Sequence, residues 1–263
     1  MATGGFPYKH VLLIGATSGI GRALAERLLE ENIQVTAVGR RQERLDELVR
    51  KHGADKAHAV AFDINQLDAI PKFAEDVTKQ YPDIDSVFIN AGVQRPADFS
   101  SPASVDLKEF HEQMHTNYAA AVSLAHAFLP FLLEKGETTP TSLIFTSSNL
   151  AIVPAVPIPA YSASKAALHV FAMCLRCQLA KKKNVKVIEV FPPAVQTELH
   201  DYLGPERGRN LGMPLDEFTA QAWQGLANGD DEVHVGFIGS KERFFALARG
   251  RREACEEFAV GPL

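Results

Sequence analysis

His10-Val11-Leu12-Leu13-Ile14-Gly15-Ala16-Thr17-Ser18-Gly19-Ile20-Gly21 is the stretch from which the fold can be read. The run from His10 to Ile14 is short, apolar and closed by glycine, which suits a strand buried on both faces. Ile20 to Glu30 then places Leu24 and Leu28 at helical spacing, with Arg22, Glu26 and Arg27 left for the wet side. Between the two, Gly15, Gly19 and Gly21 allow a tight turn, close approach of backbone to a pyrophosphate, and close packing of helix on strand. The helix start would present free N–H groups and a positive dipole end to phosphates. Gly15, Thr17, Ser18, Gly19, Ile20 and Gly21 are therefore read as a phosphate cradle, spaced G-x-x-x-G-x-G and not the commoner G-x-G-x-x-G.

The alternation continues outward. Val35 to Val38, Ala57 to Phe62, Ser86 to Ile89, Leu143 to Phe145, Lys186 to Phe191 and Val233 to Phe237 read as strands. Helices are predicted over Glu43 to Lys51, Ala69 to Gln80, Lys108 to Leu133 and Tyr161 to Lys182. This βα order predicts an α/β fold: a doubly wound (Rossmann), mostly parallel sheet with helices on both faces. No linker divides the 263 residues, so one domain is expected over 1–263. Leu199 to Pro214, interrupted by Gly and Pro, reads as a small substrate lid inserted at about 198–215.

The end of the second strand bears on the nucleotide. An NAD site of this kind usually ends that strand in an acid that accepts from the ribose 2′-OH. Here Gly39 is followed by Arg40 and Arg41, which favour a 2′-phosphate and hence NADP(H). The alternative is that both arginines cap a solvated helix start.

Tyr161-Ser162-Ala163-Ser164-Lys165 sets a phenol and an ammonium four residues apart, on one face of a helix. A free phenol has a pKa near ~10, and a neighbouring ammonium favours the phenolate. Alone, the pair is better read as a packing tyrosine beside a solvated lysine. Its company argues otherwise. Ser147 and Ser148 follow one strand and Asn90-Ala91-Gly92 another, all at the edge where ligands bind open α/β sheets. Asn117 interrupts an apolar helix, where asparagine has poor propensity.

In these residues, with Asp63-Ile64 and Pro192 to Thr197, the chain resembles the short-chain dehydrogenase/reductase family from Val11 to about Thr197. The resemblance implies that Tyr161 exchanges a proton with a carbonyl oxygen while a nicotinamide carries the hydride. Lys165 would lower the tyrosine pKa and hold the nicotinamide ribose. Ser148, in preference to Ser147, would hydrogen-bond the carbonyl, and Asn117 would hold a water that links Lys165 to solvent. Asp63 and Ile64 would border the adenine, and Asn90, Ala91 and Gly92 would line the cleft. Pro192, Val195 and Thr197 would border the nicotinamide, with Val195 and Thr197 on its carboxamide. Ile14 and Pro193 depart from the family's usual threonine and glycine, which bears on the geometry of the turn and of the carboxamide contact. The two long helices resemble those that pair across subunits in this family, implying a homodimer or homotetramer.

The expected activity is NADP(H)-dependent carbonyl reduction or alcohol oxidation. The apolar, proline-rich Leu150 to Pro159 segment leans the substrate towards hydrophobic or aryl carbonyl compounds. The alternatives are an NADPH-binding sensor or scaffold without turnover, and double-bond reduction or dehydration on the same scaffold. His111-Glu112-Gln113-Met114-His115 spells a zinc-peptidase motif, but no third ligand follows at a recognisable spacing, so no metal is expected. Cys174 and Cys177, lacking a second pair, read as buried or interfacial cysteines. A net charge of -5 gives no reason to expect nucleic acid as a partner. No apolar run of membrane-spanning length and no leader pattern is apparent, and three cysteines make no disulfide framework. A cytoplasmic protein is expected.

Overall fold

The computed structural model describes residues 5–182 and 184–260. β1 (His10–Ile14) is buried along its whole length and lies inside the sheet, pairing in parallel with β2 (Gln34–Gly39) and β4 (Ser86–Ile89). With β3 (Ala57–Ala61), β5 (Thr141–Thr146), β6 (Val185–Phe191) and β7 (Glu232–His234), it forms a seven-stranded sheet in the order β3-β2-β1-β4-β5-β6-β7. Every named pairing is parallel. The strand order reverses between β1 and β4, which opens a crevice at the strands' C-terminal ends.

Successive residues of β1 feed opposite cores, as the two-residue period of a strand requires. Val11 and Leu13 pack with Leu24 and Leu28 of α1 (Gly19–Glu30), Leu45 and Leu48 of α2 (Gln42–His52), and Phe218 further along the chain. Leu12 and Ile14 pack on the other face with Phe73 and Val77 of α3 (Ile70–Gln80) and with the long helix that follows β4.

That helix runs continuously from Leu107 to Lys135, as α4 (Leu107–Met114), a π-type turn (His115–Ala119) and α5 (Ala120–Lys135). Asp106 caps its start by accepting from the Lys108 and Glu109 amides. By length and composition it could cross a membrane, contrary to the expectation that no apolar run reaches that length, although 44% of its apolar window is buried in the molecule. Its apolar side chains include Ala120, Leu124, Phe128 and Leu132, which cover the sheet.

α6 (Pro159–Leu179) starts before Tyr161, with proline in its first turn, and stops short of Lys182. α7 (Pro205–Arg209) lies inside the predicted lid, and α8 (Leu215–Asn228) supplies Phe218. β7 is shorter than the predicted Val233–Phe237 strand because Gly236, at φ +66°, turns the chain out of the sheet. α9 (Lys241–Val260), unmarked in the sequence reading, follows β7 and lies against α6.

Candidate active site

A cleft of about 1060 Å³ opens along the C-terminal ends of the strands. At one end is the glycine turn, which has no room for side chains. A Cβ on Gly21 would stand 2.0 Å from the Gly15 carbonyl oxygen, and one on Gly15, at φ +94°, 2.6 Å from the Ala91 nitrogen. Backbone bonds hold the turn: the Gly15 and Ala16 amides donate to the Val38 oxygen at 2.8 and 3.0 Å. The Asn90 and Ala91 amides donate to the Ile14 oxygen, and Asn90 Nδ2 to the Gly15 oxygen at 3.1 Å. Ile14 itself is buried in the sheet core, so β4 and β2 brace the turn where the family's threonine hydroxyl would.

The first turn of α1 carries no acidic residue, and Ser18 at its N-cap makes no side-chain cap bond. An uncapped helix start of this kind suits a diphosphate. Thr17, Ser18, Gly19, Ile20, Arg40, Arg41, Asp63, Ile64, Asn90, Ala91 and Gly92 all border the cleft, so the sequence-predicted cofactor residues converge there. Gly21 lies behind them. Its bare Cα lets α1 approach Gly15 and Asn90.

Further along the cleft are the groups predicted to react. Tyr161 and Lys165 lie one turn apart on α6, 7% and 3% exposed. Burial pushes the Tyr161 phenol up to about 12, against a hydrogen bond with Ser148 that pulls it down. The predicted lowering by Lys165 does not prevail in this arrangement. Lys165 Nζ lies 5.7 Å from the Tyr161 ring centre and donates to the Thr146 carbonyl at 2.8 Å. Burial also brings its own ammonium down to about 8, opposed by the Glu189 carboxylate, so desolvation works against both charged forms.

The two serines separate by geometry. Ser148 Oγ accepts from the Leu150 amide at 3.1 Å and acts to lower the Tyr161 phenol, whereas Ser147 donates to the Lys165 carbonyl. The Asn117 side chain is spent on the protein, with Nδ2 donating to Val93 O at 2.9 Å and Ser164 Oγ at 3.0 Å, and Oδ1 accepting from Val93 N at 2.8 Å. It pins the loop after β4 to α6 from within the π-type turn. Pro192, Pro193, Val195 and Thr197 also line the cleft, and the Pro192 carbonyl accepts from Asn149 N at 3.0 Å.

Several groups here carry no sequence motif. Gln94 Oε1 accepts from Tyr202 OH at 2.9 Å and lies 3.0 Å from His200 Nδ1, which ties the 198–203 segment to the loop after β4. His200 thus belongs to the site, although scattered histidines carried no argument in sequence. Beneath Lys165, buried Glu189 meets His169 Nδ1 at 3.0 Å. The zinc-like motif is not gathered towards the cleft: His111 is exposed, and His115 Nε2 lies 3.1 Å from the Asn65 carbonyl oxygen. Cys174 is exposed and Cys177 half-buried, so of the two readings, buried or interfacial, the buried one does not hold for Cys174.

Residues 9–208 match the family model for short chain dehydrogenases. The chain belongs to the short-chain dehydrogenase family. It is 33% identical over 224 residues to an uncharacterized oxidoreductase, DltE, of Bacillus subtilis (strain 168), covering 85% of this chain and 86% of that protein. It is 35% identical over 189 residues to serine 3-dehydrogenase of Rhizobium radiobacter, with 72% of each chain covered. A short chain dehydrogenase from Burkholderia cenocepacia J2315, solved in complex with NADP, superposes with a TM-score of 0.76 at 26% identity, covering 98% of this chain and all of that one. The short-chain dehydrogenase fold thus extends beyond the matched segment, through α8 and most of α9.

Proposed function

We propose that this short-chain dehydrogenase is an NADP(H)-dependent oxidoreductase that interconverts a ketone or aldehyde with an alcohol, Tyr161 being the general acid and base. The observation that carries this reading is the buried pair of Tyr161 and Lys165, one helical turn apart, in the same cleft as Ser148. It sits in a cleft that also holds an uncapped helix start and Arg40. The NADP-bound relative from Burkholderia cenocepacia supports the choice of nucleotide.

The reduced nicotinamide, when bound, supplies a hydride to the carbonyl carbon. Ser148 and Tyr161 together hold the carbonyl oxygen. A phenol pushed up to about 12 is protonated at neutral pH, so Tyr161 can donate its proton to that oxygen and complete the alcohol. The phenolate left behind is stabilised by the Lys165 ammonium on the same face of α6. Alcohol oxidation runs the same proton back. Asn117 serves by positioning Val93 and Ser164 around this group.

Leu150, Ala155, Ile158, Leu211 and Phe237 supply an apolar wall that suits a hydrophobic carbonyl compound. Gln94, His200 and Tyr202 offer hydrogen bonds to a polar end of it. Leu107, Val170 and Cys174 leave exposed side chains on the two long helices, which supports a homodimer or homotetramer built on them. Three free thiols suit a reducing compartment such as the cytosol.

The test is the rate of NADPH and NADH oxidation against ketones, aldehydes and quinones, with wild type and Tyr161→Phe. Wild type should turn over with NADPH preferred. Tyr161→Phe should lose about a thousandfold in turnover while binding NADPH as wild type does. Activity retained in the phenylalanine variant would remove Tyr161 from the mechanism.

A further inference from the structure

Glu198 follows Thr197 where the lid leaves the cofactor cleft, and two guanidinium groups hold its carboxylate. Oε2 accepts from Arg41 Nη1 at 2.7 Å, and Oε1 from Arg44 Nη1 at 2.7 Å. Arg41 is committed elsewhere as well. Its Nε and Nη2 donate to Thr17 Oγ1 at 3.1 and 2.8 Å, and Nη2 donates to Ser18 Oγ at 2.6 Å. Every nitrogen of Arg41 therefore donates within the protein. Arg40 makes no side-chain hydrogen bond or ion pair among the described residues, and it borders the same cleft as Glu198, Thr17 and Gly39.

We infer that Glu198 is a cofactor-specificity residue: a carboxylate built into the lid that competes with a 2′-phosphate for Arg41 and is itself placed to accept from a ribose 2′-OH. The inference rests on the dinucleotide reading above. An NAD site of this fold usually carries such a carboxylate at the end of the second strand. That end is Gly39 here, and the chain returns the carboxylate from a residue 157 positions away from Arg41.

The charges decide the direction. Arg40, Arg41 and Arg44 bring positive charge to this corner, and Glu198 cancels part of it. A phosphate dianion feels that cancellation directly, whereas a neutral 2′-OH does not. Arg44 does not border the cleft, and it acts through Glu198. Arg40 is left as the cation that a phosphate meets without displacing a partner. Arg41 and Glu198 are 43% and 29% exposed, so solvent and salt moderate the effect.

Dissociation constants for NADPH and NADH, read from nucleotide fluorescence, test this without any substrate. Glu198→Gln should tighten NADPH by about threefold to tenfold, the scale of one partly screened charge. It should leave NADH unchanged or weaker. Arg44→Met removes a positive charge from the same corner and should move NADPH in the opposite direction. Both shifts should shrink as ionic strength rises. If Glu198→Gln changes the two nucleotides equally, or weakens NADPH, Glu198 is only a brace for Arg41 and the inference falls. Wild type that binds neither nucleotide would overturn the cofactor reading and this inference with it. Wild type that binds NADPH, with a ratio indifferent to Glu198 and Arg44, would overturn the inference alone.

Discussion

The glycine turn at Gly15–Gly21 and the lid beginning at Glu198 border one cleft and are held in opposite ways. The turn is held by main chain. The Gly15 and Ala16 amides bond to the end of β2, the Asn90 and Ala91 amides bond to the Ile14 carbonyl just before the turn, and Gly15 and Gly21 leave no volume for a Cβ. The lid is held largely by side chains: Glu198 to Arg41 and Arg44, Tyr202 and His200 to Gln94, and Arg209 to Asp201 at 2.9 Å. A few backbone bonds join it to the rest, among them Met213 N to Ala194 O at 2.9 Å. Main-chain bonds inside a buried sheet edge respond little to salt or pH. Exposed ion pairs and side-chain hydrogen bonds respond to both. The cleft thus has one rigid wall and one conditional wall.

The largest effect should come from breaking the rigid wall. Gly21→Val would drive a branched side chain into the Gly15 carbonyl, where even a Cβ stands at 2.0 Å. Overpacking of this kind costs about 3 kcal/mol, and displacing the turn by an ångström costs roughly a hundredfold in its alignment with ligand. Thermal melting and NADPH titration should both register it. A variant that melts and binds like wild type would show the turn to be as adaptable as the lid.

A smaller effect should follow at the conditional wall. Gln94→Leu leaves Tyr202 OH and His200 Nδ1 without their shared partner, a loss of about 1–2 kcal/mol. Hydrogen exchange should quicken by roughly tenfold at the backbone amides of residues 198–203, while those of 15–21 keep their protection. Equal quickening in both regions would erase the distinction between the two walls.

The smallest effect is electrostatic. Burial raises the Glu198 carboxyl, but hydrogen bonds from Arg41 and Arg44 outweigh it and bring the group down to about 2 from an ordinary 4.5. A folded-state value below the unfolded one stabilises the fold above about pH 4.5, and that contribution is lost as pH falls towards 2. Glu198→Gln should therefore melt about 2–4 °C below wild type near pH 7, with the gap narrowing below pH 4.5. A gap that holds constant with pH would mean that the carboxylate's charge does not anchor the lid.

The rigid wall was legible in sequence almost residue by residue, because a strand, a glycine turn and a helix start follow one another without a break. Tyr161 and Lys165 were legible for the same reason, being four apart on one helix. The nature of Asn117 was only half legible. The asparagine stood out in an apolar helix, but the π-type turn and the bonds to Val93 and Ser164 appear only once the loop after β4 is in place. The conditional wall left almost no mark. Gln94 and His200 lie 106 positions apart, in stretches without periodicity, and nothing local ties one to the other.

The sequence by itself determined the parallel α/β order, the phosphate turn, the arginines after β2 and the phenol–ammonium pair, since each is a relation between neighbours within one element or one turn. Only the tertiary structure decided what each serine bonds, which groups flank Lys165, and how the 198–203 segment is tied to Arg41, Arg44 and Gln94. Those are relations between the ends of different strands. The sheet order β2-β1-β4-β5-β6 brings those ends side by side, with chain separations that no local pattern encodes. Tyr161 shows the same division in its chemistry: spacing placed a cation near it, but burial sets the direction of its shift, upward from 10.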